Sequence, residues 1–278
     1  MMELNGNEYI SSKQNEKVKL FSKLASQKGR RESGLFLAEG VKLAAEAADA
    51  GCVRYILVNE ERANDPAVAR TLDKCPRNAV KYILSAPCFE KVSTELSPQG
   101  VIAVCERPDV HTSQEQTPAA SLDGVRAIAL DGVRDPGNLG AVIRSALAFG
   151  FGAVILGDCA DLYNPKTVRA TMGALFRMRA VECSDLPAYL SALAGRGRRV
   201  LGAALRDGAD EFRGEGLDPS DVVVIGNEGH GLSDGAASSC TSFIKIPMTG
   251  FSESLNAGVA ASVIMWEYSK ISRNNYEK

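Results

Sequence analysis

Five short runs in the second half of the chain are apolar at consecutive positions instead of alternating ones: AIALDG (127–132), AVILG (153–157), RVLGAAL (199–205), VVVIGNEG (222–229) and FIKIP (243–247). A strand that alternates apolar and polar residues can keep one face in water. A strand apolar throughout needs cover on both faces, which is the condition of a parallel sheet sandwiched between helices. Helical patterns fall between these runs, at Leu139–Phe149, Pro165–Met172, Leu186–Leu193 and from Leu255 to about Lys270. The second half is therefore predicted to be α/β, with a parallel sheet and crossover helices.

The first half alternates less regularly. A helical run with Val18, Phe21, Leu24 and Ala25 on one face leads into GLFLAEG, a helix VKLAAEAADAG and the run YILV, and later VKYIL and VIAV flank SAPCFEKV. These features predict a smaller α/β domain. Residues 107–121, RPDVHTSQEQTPAAS, are polar, aperiodic and carry two prolines, the marks of a linker. The expected division is 1–106, linker 107–121 and 122–278.

Composition removes several classes of function. No stretch approaches the roughly 20 apolar residues needed to span a bilayer, and the polar start MMELNGNEYISSKQNEK has no signal-like apolar core. A cytoplasmic location is expected. The seven cysteines show no C-x-x-C pair, as in a chain of reduced thiols, and the two histidines, His111 and His230, are far apart, so no metal site is expected. Net charge is −2, so any binding of nucleic acid must rely on local patches. One patch is evident: Lys13, Lys17, Lys19, Lys23, Lys28, Arg30 and Arg31 are opposed between residues 13 and 31 by Glu16 alone.

Arg144 is the most conspicuous single residue. It sits in the apolar helical run 139–149 with only Ser145 as a polar neighbour. The pattern predicts burial, and a buried guanidinium without an anionic partner costs several kcal/mol. The partner is expected to be an internal carboxylate or an anionic ligand. Three loops that follow strands and open helices, DGVRDPGNLGAVIRSA, IGNEGHGLSD and IPMTGFSESLNAG, are rich in Gly, Asn, Ser and acidic residues. In an open parallel sheet such loops leave the carboxyl ends of strands, where ligands bind.

These three loops, in this order near the C-terminus, resemble the motifs of the SpoU (TrmH) family of the SPOUT superfamily, ribose 2′-O-methyltransferases of RNA that use S-adenosylmethionine. NPKTVRATMGALFRM and GRRESGLFLAEGVKLAAEA are also similar to segments of that family, the latter to its RNA substrate-binding N-terminal domain, itself similar to small ribosomal proteins. The resemblance runs from about residue 12 to 270. It implies a C-terminal domain closed by a trefoil knot, a topology that general folding rules would not suggest. It also implies a homodimer formed through the knotted domains, and a substrate that is RNA, with ribosomal RNA expected ahead of transfer RNA.

The resemblance assigns roles as well. Arg144 is expected to activate or orient the ribose hydroxyl while anchored on phosphate, since a guanidinium holds its proton too tightly to be an ordinary base. Asn138, Glu228, Ser254 and Asn256 join it as catalytic residues. The bland alternatives are capping for Asn138, Ser254 and Asn256, and a solvated turn for Glu228. The cofactor is expected against Gly202, Ala203, Ala204, Gly226, Asn227, Gly229, Ile246, Pro247, Met248, Leu255 and Asn256. RNA is expected against Lys28, Arg30, Arg31, Arg169 and Arg177.

Two other readings compete. A dinucleotide-dependent oxidoreductase is disfavoured because GNEGHG lacks the G-x-G-x-x-G spacing and stands near the end of the chain. A catalytically inactive RNA-binding or ribosome-assembly factor is disfavoured by the presence of all five catalytic candidates.

Overall fold

The chain forms two compact units, residues 1–108 with 161–176 and residues 109–160 with 177–278. The computed structural model describes residues 8–249 and 254–274, with side chains as far as 271. The middle of the third motif loop, 250–253, lies outside the described residues.

The first unit is built from β1 (Glu8–Ile10), α1 (Glu16–Lys23), α2 (Gln27–Ser33), β2 (Leu35–Glu39), α3 (Val41–Asp49), β3 (Val53–Asn59), α4 (Pro66–Lys74), β4 (Val80–Leu84), α5 (Ala86–Val92) and β5 (Val101–Glu106). Its five-stranded sheet has the order β1-β4-β3-β5-β2, with β5 antiparallel to both neighbours and the other pairings parallel. Val18, Phe21 and Leu24 are fully buried against Leu57, Ile102, Val104 and Phe89. The Asn15 side chain starts α1 by accepting from the Lys17 N–H at 2.8 Å.

Residues 161–176 belong to this same unit, although the sequence placed them in the second domain. They carry α7 (Pro165–Ala170). Phe36 on β2 packs its ring 4.8 Å from Tyr163 and 6.2 Å from Phe176. The polar tie is Arg30, whose guanidinium donates to the Asp161 carboxylate at 2.6 and 3.1 Å.

The five apolar runs of the second unit become strands of one eight-stranded sheet. In chain order this unit contains β6 (His111–Ser113), β7 (Ala127–Asp131), α6 (Pro136–Ala148), β8 (Ala153–Gly157), β9 (Ala180–Cys183), α8 (Leu186–Gly195), β10 (Val200–Ala203), β11 (Asp210–Glu211), β12 (Val222–Ile225), α9 (Asp234–Ser238), β13 (Ser242–Lys245) and α10 (Ala257–Asn274). The order is β11-β13-β10-β12-β7-β8-β9-β6, and every pairing is parallel. From β7 the chain first builds outward through β8 and β9, then crosses to the other side with β10, and β12 later fills the place between β10 and β7. That reversal is a topological switch point, the place where open α/β sheets present ligand sites.

The expected linker 107–121 is a correction. His111–Ser113 pairs with β9 as the sheet's edge strand, and His111 and Thr117 are buried. Its polar composition concealed a strand because an edge strand needs little apolar surface. Two helix starts also shift: α6 begins at Pro136, capped by the Asp135 side chain on the Asn138 N–H at 2.8 Å, and α10 begins at Ala257. Among the described residues no helix is long and apolar enough to cross a membrane.

Candidate active site

The loops leaving β7, β12 and β13 meet α6 and α10 at the carboxyl end of the sheet. Here Glu228 occupies the tip of the loop after β12. Its carboxylate accepts hydrogen bonds from the Asn138 side-chain amide at 2.9 Å and from the backbone N–H groups of Arg134 and Asp135, each at 3.3 Å. The Asn138 side-chain oxygen in turn accepts from the Asn256 amide at 2.9 Å, and the Asn256 oxygen caps α10 through the Val259 N–H at 3.2 Å. One continuous relay therefore joins the three loops. Burial alone would push the Glu228 carboxyl up, but the Asn138 amide and the surrounding backbone N–H groups outweigh it and hold the group below the usual glutamate range. Glu228 is thus a fixed anionic acceptor and a poor proton carrier near neutral pH.

The loop that presents Glu228 is rigid for identifiable reasons. Asn227 and Gly231 exchange backbone hydrogen bonds at 2.8 and 2.9 Å, closing a tight hairpin that needs the positive φ of Gly231. A Cβ on Gly226 would lie 2.2 Å from the Gly231 carbonyl carbon, so this crossing of backbones requires glycine. The Asn227 oxygen accepts from the N–H groups of Gly229 and His230, at 2.8 and 3.2 Å, while its amide donates to the Gly132 carbonyl at 2.7 Å. Asn227 lines the cavity described next, but its side chain is committed to holding the loop.

Beside the relay lies a cavity of about 510 Å3 at the carboxyl ends of β10, β12 and β13. That volume falls within the roughly 300–1,000 Å3 typical of small-molecule sites. Of the residues expected to hold a cofactor, Ala203, Ala204, Gly226, Asn227 and Gly229 line it, as do Ile246, Met248 and Leu255. Glu228 and Ser254 also face it. Gly202, Pro247 and Asn256 do not. Ile225, Leu232 and Phe243 add apolar walls, and His230, Asp234 and Lys245 charged or ionisable lining, all from the IGNEGHGLSD and FIKIP stretches marked in the sequence. Arg206 was not anticipated, because the pairing of β10 with β13 that brings the end of β10 to the cavity is nonlocal. The mixed lining suits an adenosine joined to a charged amino-acid tail: apolar walls for the base, backbone and polar groups for the rest.

Arg144 corrects the burial predicted for it. It is exposed on α6 and makes no hydrogen bond or ion pair with the described residues. The apolar pattern that suggested burial comes partly from residues that are themselves in solvent, such as Leu147. Next to it, Ala141 on α6 and Val259, Val263 and Trp266 on α10 line an open apolar groove of about 400 Å3, and Trp266 is 42% exposed. The two helices are joined by the Ser145–Ser262 hydroxyl pair at 2.9 Å.

Of the RNA-binding candidates Arg30 is corrected, and Arg169 is partly buried and paired. Arg30 is only 6% exposed; besides Asp161 it donates to the carbonyls of Leu24 and Ala25, at 2.7 and 3.0 Å, so its donors are spent within the first unit. Arg169 is held by the Glu95 carboxylate at 2.7 Å and the Thr94 hydroxyl at 2.9 Å. Lys28, Arg31 and Arg177 are exposed. Lys28 faces Glu32 at 3.8 Å across one helical turn, an arrangement worth little in water. Among the described residues no group of three or more His, Cys, Asp or Glu side chains is placed to hold a metal.

Comparison with known proteins agrees with this geometry. Residues 126–266 match the model of the SpoU rRNA methylase family, and residues 15–103 match an MRM3-like substrate-binding domain. The chain is 36% identical over 259 residues to the 23S rRNA (guanosine(2553)-2′-O)-methyltransferase RlmP of Bacillus subtilis, covering 92% of this chain and 97% of that one. It is 31% identical over 253 residues to the 23S rRNA (uridine(2479)-2′-O)-methyltransferase of Streptomyces viridochromogenes, covering 88% and 85%. Among solved structures, the AdoMet-bound rRNA methyltransferase from Sinorhizobium meliloti superposes with a TM-score of 0.80 at 27% identity, over 96% of this chain and 98% of that one. Architecture, relay and sequence together establish that this chain belongs to the SpoU rRNA methylase family.

Proposed function

We propose that this protein is an S-adenosylmethionine-dependent methyltransferase that modifies a ribose 2′-hydroxyl in ribosomal RNA. The observation that carries the reading is the relay Glu228–Asn138–Asn256, which bridges the loops after β7 and β12 at the switch point, beside a cavity at the carboxyl ends of β10, β12 and β13. The relatives named for 23S rRNA favour ribosomal over transfer RNA. Work on that substrate belongs in the cytoplasm.

When bound, S-adenosylmethionine supplies an electrophilic methyl group on a positively charged sulfur. The chain's own residues then have to bind, align and handle one proton. Ala203, Ala204, Gly226, Gly229, Ile246, Met248 and Leu255 would hold the nucleoside and Asn227 would keep their loop in shape. Glu228, kept anionic, fixes the Asn138 amide; Asn138 fixes Asn256; Ser254 stands beside them at the cavity. Arg144 would orient the ribose hydroxyl against an RNA phosphate; the oxygen–methyl bond would form as the methyl–sulfur bond breaks, leaving the neutral thioether, and the hydroxyl proton would pass to solvent or a phosphate oxygen.

The exposure of Arg144 supports a homodimer. The groove of Ala141, Val259, Val263 and Trp266 is an apolar patch on a face whose helix also carries Arg144, and a second copy of the chain would cover it. Pairing there removes solvent from around the guanidinium and places it at a composite site. A knotted course of the C-terminal segment is supported by the strand order, in which β10 lies between β12 and β13. An RNA-binding N-terminal domain of small-ribosomal-protein type is supported by the α/β sheet of the first unit and its exposed lysines. The test is a map of 2′-O-methyl positions in total RNA from cells with and without the protein. One ribosomal position that loses its methyl group supports the reading; an unchanged map overturns it, and a lost transfer RNA position redirects it.

A further inference from the structure

Arg206 leaves the carboxyl end of β10 at the rim of the cavity. Its guanidinium carbon lies 4.2 Å over the ring of Phe243, close enough for a cation–π stack. Phe243 can take that position because of Gly202: a Cβ there would come 2.8 Å from the ring's Cδ1 and 2.9 Å from Leu232. This accounts for Gly202, which does not line the cavity. The glycine lets the ring lie against β10, and the ring supports the guanidinium from one side.

A stacked guanidinium has its plane fixed while its N–H edge stays open. Arg206 is exposed and has no hydrogen-bond acceptor or ion-pair partner among the described residues. Other arginines of the second unit are matched at least in part within the fold: Arg134 by Asp158, Arg196 by Asp123, Arg199 by Asp221 and Arg213 by Glu211. A planar fork held ready at the mouth of a nucleoside-sized cavity is suited to bidentate recognition of an anion.

We propose that Arg206, held by Phe243, anchors the carboxylate of the cofactor's amino-acid tail. The proposal rests on the cavity being the S-adenosylmethionine site. The same fork could grip an RNA phosphate, and the test separates the two sources of anion.

Two ligands isolate the carboxylate: S-adenosylhomocysteine carries the tail, and 5′-methylthioadenosine carries the same nucleoside and thioether without it. Their affinities are measured by calorimetry for the full-length wild type, Arg206→Leu and Arg206→Lys, with RNA affinity measured in parallel. Arg206→Leu is expected to weaken S-adenosylhomocysteine about tenfold while 5′-methylthioadenosine stays within twofold. Arg206→Lys, which keeps charge and loses the fork, is expected to fall between. Arg206 is exposed, so unchanged thermal unfolding is expected in both variants. Equal losses for both ligands would make Arg206 a contact of the nucleoside and overturn the proposal. Unchanged small-ligand affinities would also overturn it, and a parallel loss of RNA affinity would identify phosphate as the anion. Failure of the wild type to bind either ligand would instead defeat the assignment of the cavity itself.

Discussion

Glu228 and Asn138, 90 residues apart in sequence, are joined by a 2.9 Å hydrogen bond from the asparagine amide to the carboxylate. On the proposed function this contact orients the site. The carboxylate is spent on three N–H donors, so it orients and does not shuttle protons. Removing its charge should therefore damage turnover more than binding. Glu228→Gln is expected to lower kcat roughly 100-fold, with S-adenosylmethionine affinity within about twofold. A matching loss of cofactor affinity would show that Glu228 serves the cofactor instead.

The pH dependence follows from the same bonds. Because folding holds the Glu228 carboxyl below its ordinary value, its contribution to loop order is fully present above roughly pH 4.3 and is lost as pH falls through the lower folded value. Activity is therefore expected to show no ionisation of Glu228 between pH 5 and 8. A kcat profile with an acid limb in that window, abolished by Glu228→Gln, would contradict the assignment.

Asn138→Asp places a second carboxylate against Glu228. Two acids at this distance share a proton, and the pair's upper pKa rises. The variant is expected to be nearly inactive at pH 8 and to regain activity toward pH 5.5, where the shared proton restores a donor between residues 138 and 228. Asn138→Ala lacks that donor at every pH and should show no such recovery. Identical pH profiles for the two variants would argue against the relay.

Much of the fold was legible in the sequence because its signals are local. Consecutive apolar runs identified β7, β8, β10, β12 and β13, and the glycine-rich stretches after them are loops that meet beside the cavity. What stayed hidden depends on distant partners. Arg30 read as a surface cation because its acceptor, Asp161, lies 131 residues away. Arg144 read as buried because an apolar pattern does not distinguish a core from an exposed face that carries apolar residues such as Leu147. His111–Ser113 read as linker because a polar edge strand has no apolar pattern to detect.

Arg30 and Arg31 are adjacent but should behave oppositely. Arg30→Met leaves Asp161 without its cation in a site where Arg30 is 6% exposed, and a loss of about 3 kcal/mol in unfolding free energy is expected by urea titration. Arg31→Glu reverses an exposed charge; stability should hold while RNA affinity falls and its salt dependence weakens. Equal stabilities for the two variants would contradict the separation.

Trp266→Glu puts a charge into the groove of Ala141, Val259 and Val263. The wild type is expected to run as a dimer in light scattering at micromolar concentration, and the variant as a folded monomer with little activity. A fully active monomer would remove the dimer, and a composite role for Arg144, from the account.

The most direct test is methyl transfer itself. Purified protein is incubated with S-adenosylmethionine and unmodified ribosomal RNA, and the RNA is digested and read by mass spectrometry, for the wild type and for Arg144→Ala. The expected result is a single 2′-O-methylnucleotide with the wild type and none with the variant, whose S-adenosylmethionine affinity is unchanged. A methylated base, or full ribose methylation by Arg144→Ala, would contradict it.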